Sequence, residues 1–401
     1  MCDWPLDVGA ILRQYAACQP AAVAALTAQQ RRALRDLGAC RTEALGGRLE
    51  QCSCCGTREY LYNSCRNRHC PKCQAGCRAE WLDREASYLL PVEYHHLVFT
   101  LPAAVAELAR HNPRLIYNLL FEAASQSVRE VAANPRHLGA QVGLTAVLHT
   151  WGQTLSLHPH LHLMASGGGL SCNARGEIDE QPLWKSCRPG FFLPVRVLSR
   201  RFRGKFLAGL NAAWQEGKLH TADCAGLVCP RAWGKWLSEQ RRQDWVVYSQ
   251  PPSAGAEVVL KYLARYTYRV AISNSRLLHA SAEEVTFSYK DYRHGGQSKE
   301  LTLSTAEFAR RFLQHVLPGG FVRVRHYGLL ANRSRQAKLQ QCRRLLWLAG
   351  FQAKLTAAVE PRPAAEQGQR SCPVCGLGRM EVVEILPAWP RPCPAAGEDS
   401  S

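Results

Sequence analysis

Residues 155–170, LSLHPHLHLMASGGGL, form a short apolar run closed by three glycines, which reads as a β-strand ending in a turn. Strand side chains alternate faces, so His158, His160 and His162 share one face. Leu157, Leu161 and Leu163 take the other face, toward a core. Imidazoles repeating at period two on a rigid, leucine-backed element make a row of metal ligands. Polar residues facing water on a half-buried sheet would account for one such histidine more readily than for the whole row.

The flanking sequence extends this strand into a sheet. VGLTAVLHTWGQ (142–153) reads as an adjacent, antiparallel strand that carries His149, and EYHHLVFTLP (93–102) as a strand with Leu97 and Phe99 on one face. Helical patterns occupy 103–132, FRGKFLAGLNAAWQE (202–216) and CPRAWGKWLSEQ (229–240). VTFSYKDY (285–292) is a strand with Val285, Phe287 and Tyr289 on one face. Ser304-x-x-Glu307 is a capping box opening a helix that stops at Pro318-Gly319-Gly320. The expected class is α+β, with adjacent strands, flanking helices and a small zinc-binding module before them. The expected divisions are a helical segment at 1–50, the zinc-binding module at 51–90, a core at 91–345 and a tail at 346–401. That tail is rich in Pro and Ala, holds Cys372-x2-Cys375, and reads as largely disordered.

Charge narrows the function. The 401 residues include 50 Lys+Arg against 32 Asp+Glu, a formal +18, and a chain this basic meets a polyanion, with nucleic acid the first candidate. No apolar run approaches the roughly 20 residues that span a bilayer, so no membrane partner is expected. The N-terminus, MCDWPLDVGAILRQYAACQP, lacks a basic region followed by an apolar one, so a cytoplasmic, nucleoid-associated location of bacterial type is expected. The 18 cysteines are then reduced, and clustered thiols there indicate metal rather than disulfides.

The cluster is CSCCGTREYLYNSCRNRHCPKCQAGC (52–77). Cys52-x2-Cys55 and Cys70-x2-Cys73 are knuckles separated by 14 residues, a spacing that lets four thiolates converge on one tetrahedral Zn2+. Such a site supplies folding energy to a segment with few apolar residues. Cys65 and His69 are further candidate ligands, and Arg58, Arg66, Arg68 and Lys72 interleave with the cysteines as in a DNA-docking surface. Cys372 and Cys375 have only Cys393 nearby and no clear fourth ligand.

In VVLKYLARYTYRVAIS (258–273), Tyr262 and Tyr266 are four apart and share a helix face beside Lys261, Arg265 and Arg269. Val259, Tyr262, Leu263 and Tyr266 also fit an ordinary core stripe. The histidine row favours chemistry: a phenol is a weak nucleophile at neutral pH, and a divalent ion stabilises the charge developing on a phosphate. Between 310 and 344, Arg310, Arg311, Arg323, Arg325, His326, Arg333, Arg335, Lys338, Arg343 and Arg344 interleave with Phe312, Phe321 and Tyr327, a pattern suited to a single-strand groove.

HPHLH resembles the His-hydrophobe-His motif of HUH single-strand endonucleases. The order NSCRNRHCPKCQ, LHTWGQ, HPHLH, GGGL, YLARYTYRVAISNSRL and EFARRFLQHVLPGGFVRVRHYGLLAN resembles that of the insertion-sequence-91-like rolling-circle transposases over roughly 5–345. The resemblance implies an HUH-like central antiparallel sheet and a DNA transposase that cuts one strand through a 5′-phosphotyrosine. It implies Tyr262 and Tyr266 as nucleophiles, with Tyr268 outside the pair. It also implies His160 and His162 as ligands of Mg2+ or Mn2+, with His149 or His158 as the third, and a structural Zn2+. The implied partners are single-stranded or extruded DNA at the element ends and target. A plasmid or phage replication initiator or a relaxase shares this chemistry. A non-enzymatic zinc DNA-binding protein would leave the histidines and tyrosines without a role, and a β/α-barrel metallohydrolase would need βα alternation that is not visible.

Overall fold

The computed structural model describes residues 6–73, 85–221, 226–253, 270–350 and 370–389. The chain forms two compact units. One comprises Met1–Gly76, Ile272–Leu313 and Val359–Ser401; the other comprises Cys77–Ala271 and Gln314–Ala358. Elements are numbered in chain order. The fold is α+β, and every strand pairing in its sheets is antiparallel.

The first unit opens with helices α1 (Val8–Cys18), α2 (Pro20–Ala24) and α3 (Ala28–Ala39). These helices fall in the segment expected to be helical, and a capping box starts α3. The Thr27 hydroxyl accepts from the Gln30 N–H at 3.3 Å, and the Gln30 side chain accepts from the Thr27 N–H at 3.0 Å. Helix α1 buries Val8, Ile11 and Leu12. A three-stranded sheet follows from β1 (Gly47–Cys52) and β2 (Arg58–Tyr62), with β12 (Met380–Leu386) on the other side of β1. The tail, expected to be largely disordered, carries β12 within its described residues 370–389. Average composition missed one short strand that completes its hydrogen bonds on the free edge of β1, with Cys52 opposite Met380. A second meander, β8 (Leu277–Ala280), β9 (Glu284–Asp291) and β10 (Gln297–Ser304), leads into α8 (Thr305–Leu313). Val285 and Phe287 point inward with Phe308 and Phe312, all nearly inaccessible to solvent. Only half of the expected capping box forms: Ser304 accepts from the Glu307 N–H, while the Glu307 carboxylate binds Arg310 and Arg311.

The second unit is built on a six-stranded sheet ordered β11-β4-β5-β3-β7, with β6 on β5. The strands are β3 (Tyr94–Thr100), β4 (Ala140–Trp151), β5 (Leu157–Ser171), β6 (Trp184–Ser186), β7 (Val247–Ser253) and β11 (Val324–Gly328). Its helices are α4 (Ala103–Leu108), α5 (Pro113–Ala133), α6 (Val195–Gln215), α7 (Pro230–Arg242) and α9 (Arg335–Leu348). One sheet face carries Leu97, Phe99, Leu144, Ala146, Leu148, Leu161 and Leu163, buried against Leu120, Phe121 and Val128 of α5 and Leu198, Phe202 and Phe206 of α6. Each of these leucines, phenylalanines and Val128 contributes roughly 1.5–3 kcal/mol on leaving water.

Strand β5 does not end in a turn at its glycines; it continues to Ser171. The glycines are there for close approach. A Cβ on Gly168 would stand 2.6 Å from the Lys185 carbonyl oxygen, one on Gly167 would stand 2.7 Å from that of Glu93, and one on Gly169 would collide with that of Gln141.

Candidate functional site

Antiparallel register delivers the histidines to one place. His149 of β4 lies directly opposite His160 of β5, and Val147 opposite His162. Directly paired residues share a sheet face, so His149 joins His160 and His162 on the face away from α5 and α6. Ligand nitrogens of His149, His160 and His162 all lie within 4.8 Å of one another. The ring centroids are 5.4 Å (149–160), 4.6 Å (149–162) and 4.9 Å (160–162) apart. His149 is buried and stacks on Trp151 at 4.7 Å, while His160 and His162 are half-buried.

The surroundings fix which nitrogens face the cluster. A carbonyl only accepts, so His160 Nδ1–H donates to the His158 carbonyl at 2.7 Å and Nε2 keeps its lone pair. Gln250 Oε1 lies 3.0 Å from His96 Nδ1, and His96 Nε2 lies 2.9 Å from His162 Nδ1. With Oε1 accepting from His96 Nδ1–H, His96 Nε2 accepts from His162 Nδ1–H, and His162 Nε2 is left as a donor atom for a metal. Burial pulls the His96 ring down to about 4, so it is neutral at physiological pH. Three imidazoles with two tautomers set by outer hydrogen bonds fit a divalent cation. Of the two residues open as a third ligand, His149 enters the group; the His158 ring is exposed and that residue acts through its carbonyl.

The sequence reading missed His96 and Gln250. His96 belongs to a strand read only for its core face, and its link to His162 depends on β3 pairing with both β5 and β7. Tyr262, Tyr266, Lys261, Arg265 and Arg269 lie outside the described residues, as does Tyr268.

The expected basic groove changes in composition. Arg325 sits over Phe121 and Phe321, with its guanidinium 4.2 and 5.1 Å from the ring centres, and donates to Asn118 at 2.6 Å. Tyr327 packs against the same core, and burial raises its phenol. Both occupy the sheet face opposite the histidines because they alternate with His326, which pairs with Thr145. Phe312 and Phe321 are buried, so they offer no stacking platform. Arg323 is half-buried just before β11, whereas Arg333, Arg343 and Arg344 are exposed. A cavity of about 260 Å³ lined by Arg129, Gln141 and Arg175 lies at the other end of β4 from His149 and is not part of this centre.

The cysteines do not meet as their spacing suggested. Cys52 and Cys55 stand apart from Cys70 and Cys73, which gather instead with Cys40 and Cys65, and His69 joins neither group. The reason is the β1–β2 hairpin, which turns immediately after Cys55 and carries the first knuckle away from the second. In the Cys40/Cys65/Cys70/Cys73 group the Cys73 sulfur is 3.5 Å from that of Cys40 and 3.7 Å from that of Cys65. A tetrahedron with Zn–S bonds of about 2.3 Å has edges of about 3.8 Å, so these thiols fit a structural Zn2+. Hydrogen bonds shared among the thiols lower Cys40 and raise Cys65 and Cys70, so the group shares protons that a bound metal would displace. Cys40, the C-cap residue of α3, has no neighbouring knuckle to announce it. Lys72, counted among the docking cations, pairs with Asp7 at 2.6 Å, the carboxylate that caps α1.

These geometries coincide with two family models: "Transposase zinc-binding domain" matches residues 11–101 and "Putative transposase" matches residues 143–338. The chain is 48% identical over 386 residues to "Putative transposase y4qJ" of Sinorhizobium fredii (strain NBRC 101917 / NGR234), covering 95% of each chain. The chain belongs to the insertion-sequence-91-like transposases. It is also 30% identical over 298 residues to "Transposase for insertion sequence element IS801" of Pseudomonas savastanoi pv. phaseolicola, covering 74% of this chain and 68% of that one. No solved structure matches it significantly. The transposase is thus a DNA-acting enzyme of the nuclease/transferase type with a zinc-binding domain at its N-terminus. Its histidine group falls inside the transposase match, and Cys40, Cys65, Cys70 and Cys73 fall inside the zinc-binding match. Among the described residues no helix is long and apolar enough to cross a membrane.

Proposed function

We propose that this transposase works by a rolling-circle, HUH-type mechanism, cutting one DNA strand and transferring it through a 5′-phosphotyrosine. The observation that carries the reading is the gathering of His149, His160 and His162, with His162 oriented by His96 and Gln250. His149, His160 Nε2 and His162 Nε2 would hold the divalent cation. An all-imidazole donor set suits Mn2+ better than Mg2+, which prefers oxygen. When bound, the ion supplies electrostatic stabilisation of charge developing on the scissile phosphate.

The nucleophile is the phenol of Tyr262 or Tyr266. Its oxygen forms a bond to phosphorus, the bond from phosphorus to the 3′ oxygen breaks, and the departing 3′ oxygen takes up a proton as the phenol loses one. The 5′ phosphate stays on the tyrosine. Attack by a 3′-OH on that phosphotyrosine restores the phenol and joins the strands, so no nucleotide cofactor is needed. Lys261, Arg265, Arg269 and Arg323 serve the DNA backbone. Single-stranded or extruded element ends are the substrate.

The test is a denaturing-gel cleavage assay on single-stranded oligonucleotides from the element ends. Wild type with Mn2+ should give a cut and a protein–DNA adduct, both lost with EDTA and in Tyr262→Phe/Tyr266→Phe. Cutting that survives in the double variant would refute the tyrosine assignment. Binding without any cut or adduct would favour a non-enzymatic DNA-binding module.

A further inference from the structure

We infer that the protein carries a second structural zinc ion, held by Cys52 and Cys55 near the start of the chain and by Cys372 and Cys375 near its end. These ligands staple the C-terminal segment onto the N-terminal hairpin. The proposal is independent of the cleavage chemistry, and the zinc-binding match at 11–101 contains only two of the four ligands.

The four sulfurs lie within 4.8 Å of one another. Cys52 to Cys375 and Cys55 to Cys372 are each 3.7 Å, close to the tetrahedral edge of about 3.8 Å expected for Zn–S bonds and far beyond a disulfide's roughly 2 Å. The two knuckles repeat one design, Cys-x2-Cys-Gly. Gly56 (φ 71°) and Gly376 (φ 68°) turn the chain back in the left-handed region, and their N–H groups donate to the carbonyls of Cys52 at 3.1 Å and Cys372 at 3.0 Å. In each knuckle backbone N–H groups point at sulfur. Cys54 and Cys55 donate to Cys52 Sγ at 3.3 and 3.4 Å, Val374 to Cys372 Sγ and Gly378 to Cys375 Sγ, both at 3.4 Å. Such donors stabilise thiolates and orient them for a metal.

The knuckles are docked on each other. Ser53 N–H donates to the Arg379 carbonyl at 3.0 Å, and Arg379 N–H returns to Ser53 Oγ at 3.1 Å. Gly378 has no room for a Cβ, which would strike Cys52 Sγ. Strand β12 is held on β1 by its hydrogen-bonded ladder and by the Arg370 ion pairs with Glu50 and Glu59, with little apolar burial beside them. Met380 is its one buried residue, and Val382, Val383 and Ile385 are 52%, 52% and 71% exposed. Apolar burial therefore does not explain why residues more than 300 positions from Cys55 lie on β1; a metal staple does.

Cys54 provides an internal control: it sits inside the first knuckle, is exposed, and touches Cys375 without being a member of either thiol group. The experiment uses the full-length, reduced protein purified without added metal. Mass-spectrometric metal analysis should find one zinc ion fewer per chain in Cys375→Ser than in wild type, one fewer in Cys55→Ser and still only one fewer in the double variant, because both changes empty the same site. In zinc-loaded wild type, Cys372 and Cys375 should resist alkylation together with Cys52 and Cys55, while Cys54 reacts; this readout needs no variant to fold. A zinc content unchanged from wild type in Cys375→Ser, or alkylation of Cys372 and Cys375 as fast as Cys54, would overturn the proposal.

Discussion

His162 shows how much of a metal ligand's chemistry belongs to its neighbours. Its Nε2 is available only because Nδ1–H is spent on His96, whose own tautomer is set by Gln250. His96→Ala should lower Mn2+-dependent cleavage by roughly 10–100-fold, the usual cost of losing such a partner, and raise the Mn2+ concentration giving half-maximal rate. His96→Gln, which keeps an acceptor, should recover part of the loss. Unchanged metal dependence in His96→Ala would show that the contact is only packing. Arg325 carries the opposite lesson: expected as a DNA cation, it lies half-buried over two core rings. Arg325→Ala should cost about 0.5–2 kcal/mol in denaturant unfolding through its lost ring contacts and leave the salt dependence of DNA binding unaltered. Arg333 and Arg344, both exposed, should each reduce the log–log salt slope by roughly 0.7–0.9 when changed to Ala.

At the scale of elements, the β4–β5 pair is what sets the site. The connection between these strands is bound by buried groups that the sequence reading did not use. Leu155 holds a left-handed backbone (φ 60°), and its carbonyl accepts from Gln314 Nε2 at 2.8 Å and His315 Nε2–H at 3.1 Å. Thr150 Oγ1 lies 3.2 Å from His315 Nδ1, which accepts its proton in that tautomer. Full burial pushes the His315 ring down to about 4. Unfolded histidine titrates near 6.5, so between these values the unfolded chain binds more protons and stability falls as pH drops. Acidification from pH 7 to pH 4 should cost up to about 3 kcal/mol from this one ring. Thermal unfolding of His315→Asn across that range should show a correspondingly shallower decline. A Cβ at Gly169 should collide with β4; Gly169→Ala should lose about 1–3 kcal/mol or more in denaturant unfolding and disturb the His149–His160 register.

Legibility followed the range of the interactions. Period-two alternation in LSLHPHLHL gave both the core face and the histidine face, because strand sidedness is local. The neighbouring strand was also readable, since β4 and β5 are consecutive, but sidedness alone left His149 and His158 as equal alternatives for the third ligand. The glycines were misread as a turn because close approach of β4, β6 and Glu93 is a property of the assembled sheet. Cys40 and the Cys372/Cys375 pair were misjudged for the same reason, as spacing rules see only knuckles that are near in sequence.

At the scale of the whole molecule, the two cysteine groups lie in one compact unit and the histidine group in the other. A strong zinc chelator should therefore melt the first unit's sheet and helical packing while β4 and β5 keep their amide protection. Hydrogen exchange resolved by segment measures this directly. Equal loss of protection in residues 47–62 and 140–171 would mean that the cysteine centres are not confined in effect to their own unit.

The most direct test of the central claim is the Mn2+ dependence of strand cleavage in wild type, His149→Ala and His158→Ala. The account predicts that His149→Ala loses cleavage by roughly 100-fold or more, since a direct ligand matters at least as much as its supporting partner. His158→Ala, which keeps the backbone carbonyl that orients His160, should stay within a few-fold of wild type. Full activity in His149→Ala, or abolition in His158→Ala alone, would contradict the metal centre proposed for this fold.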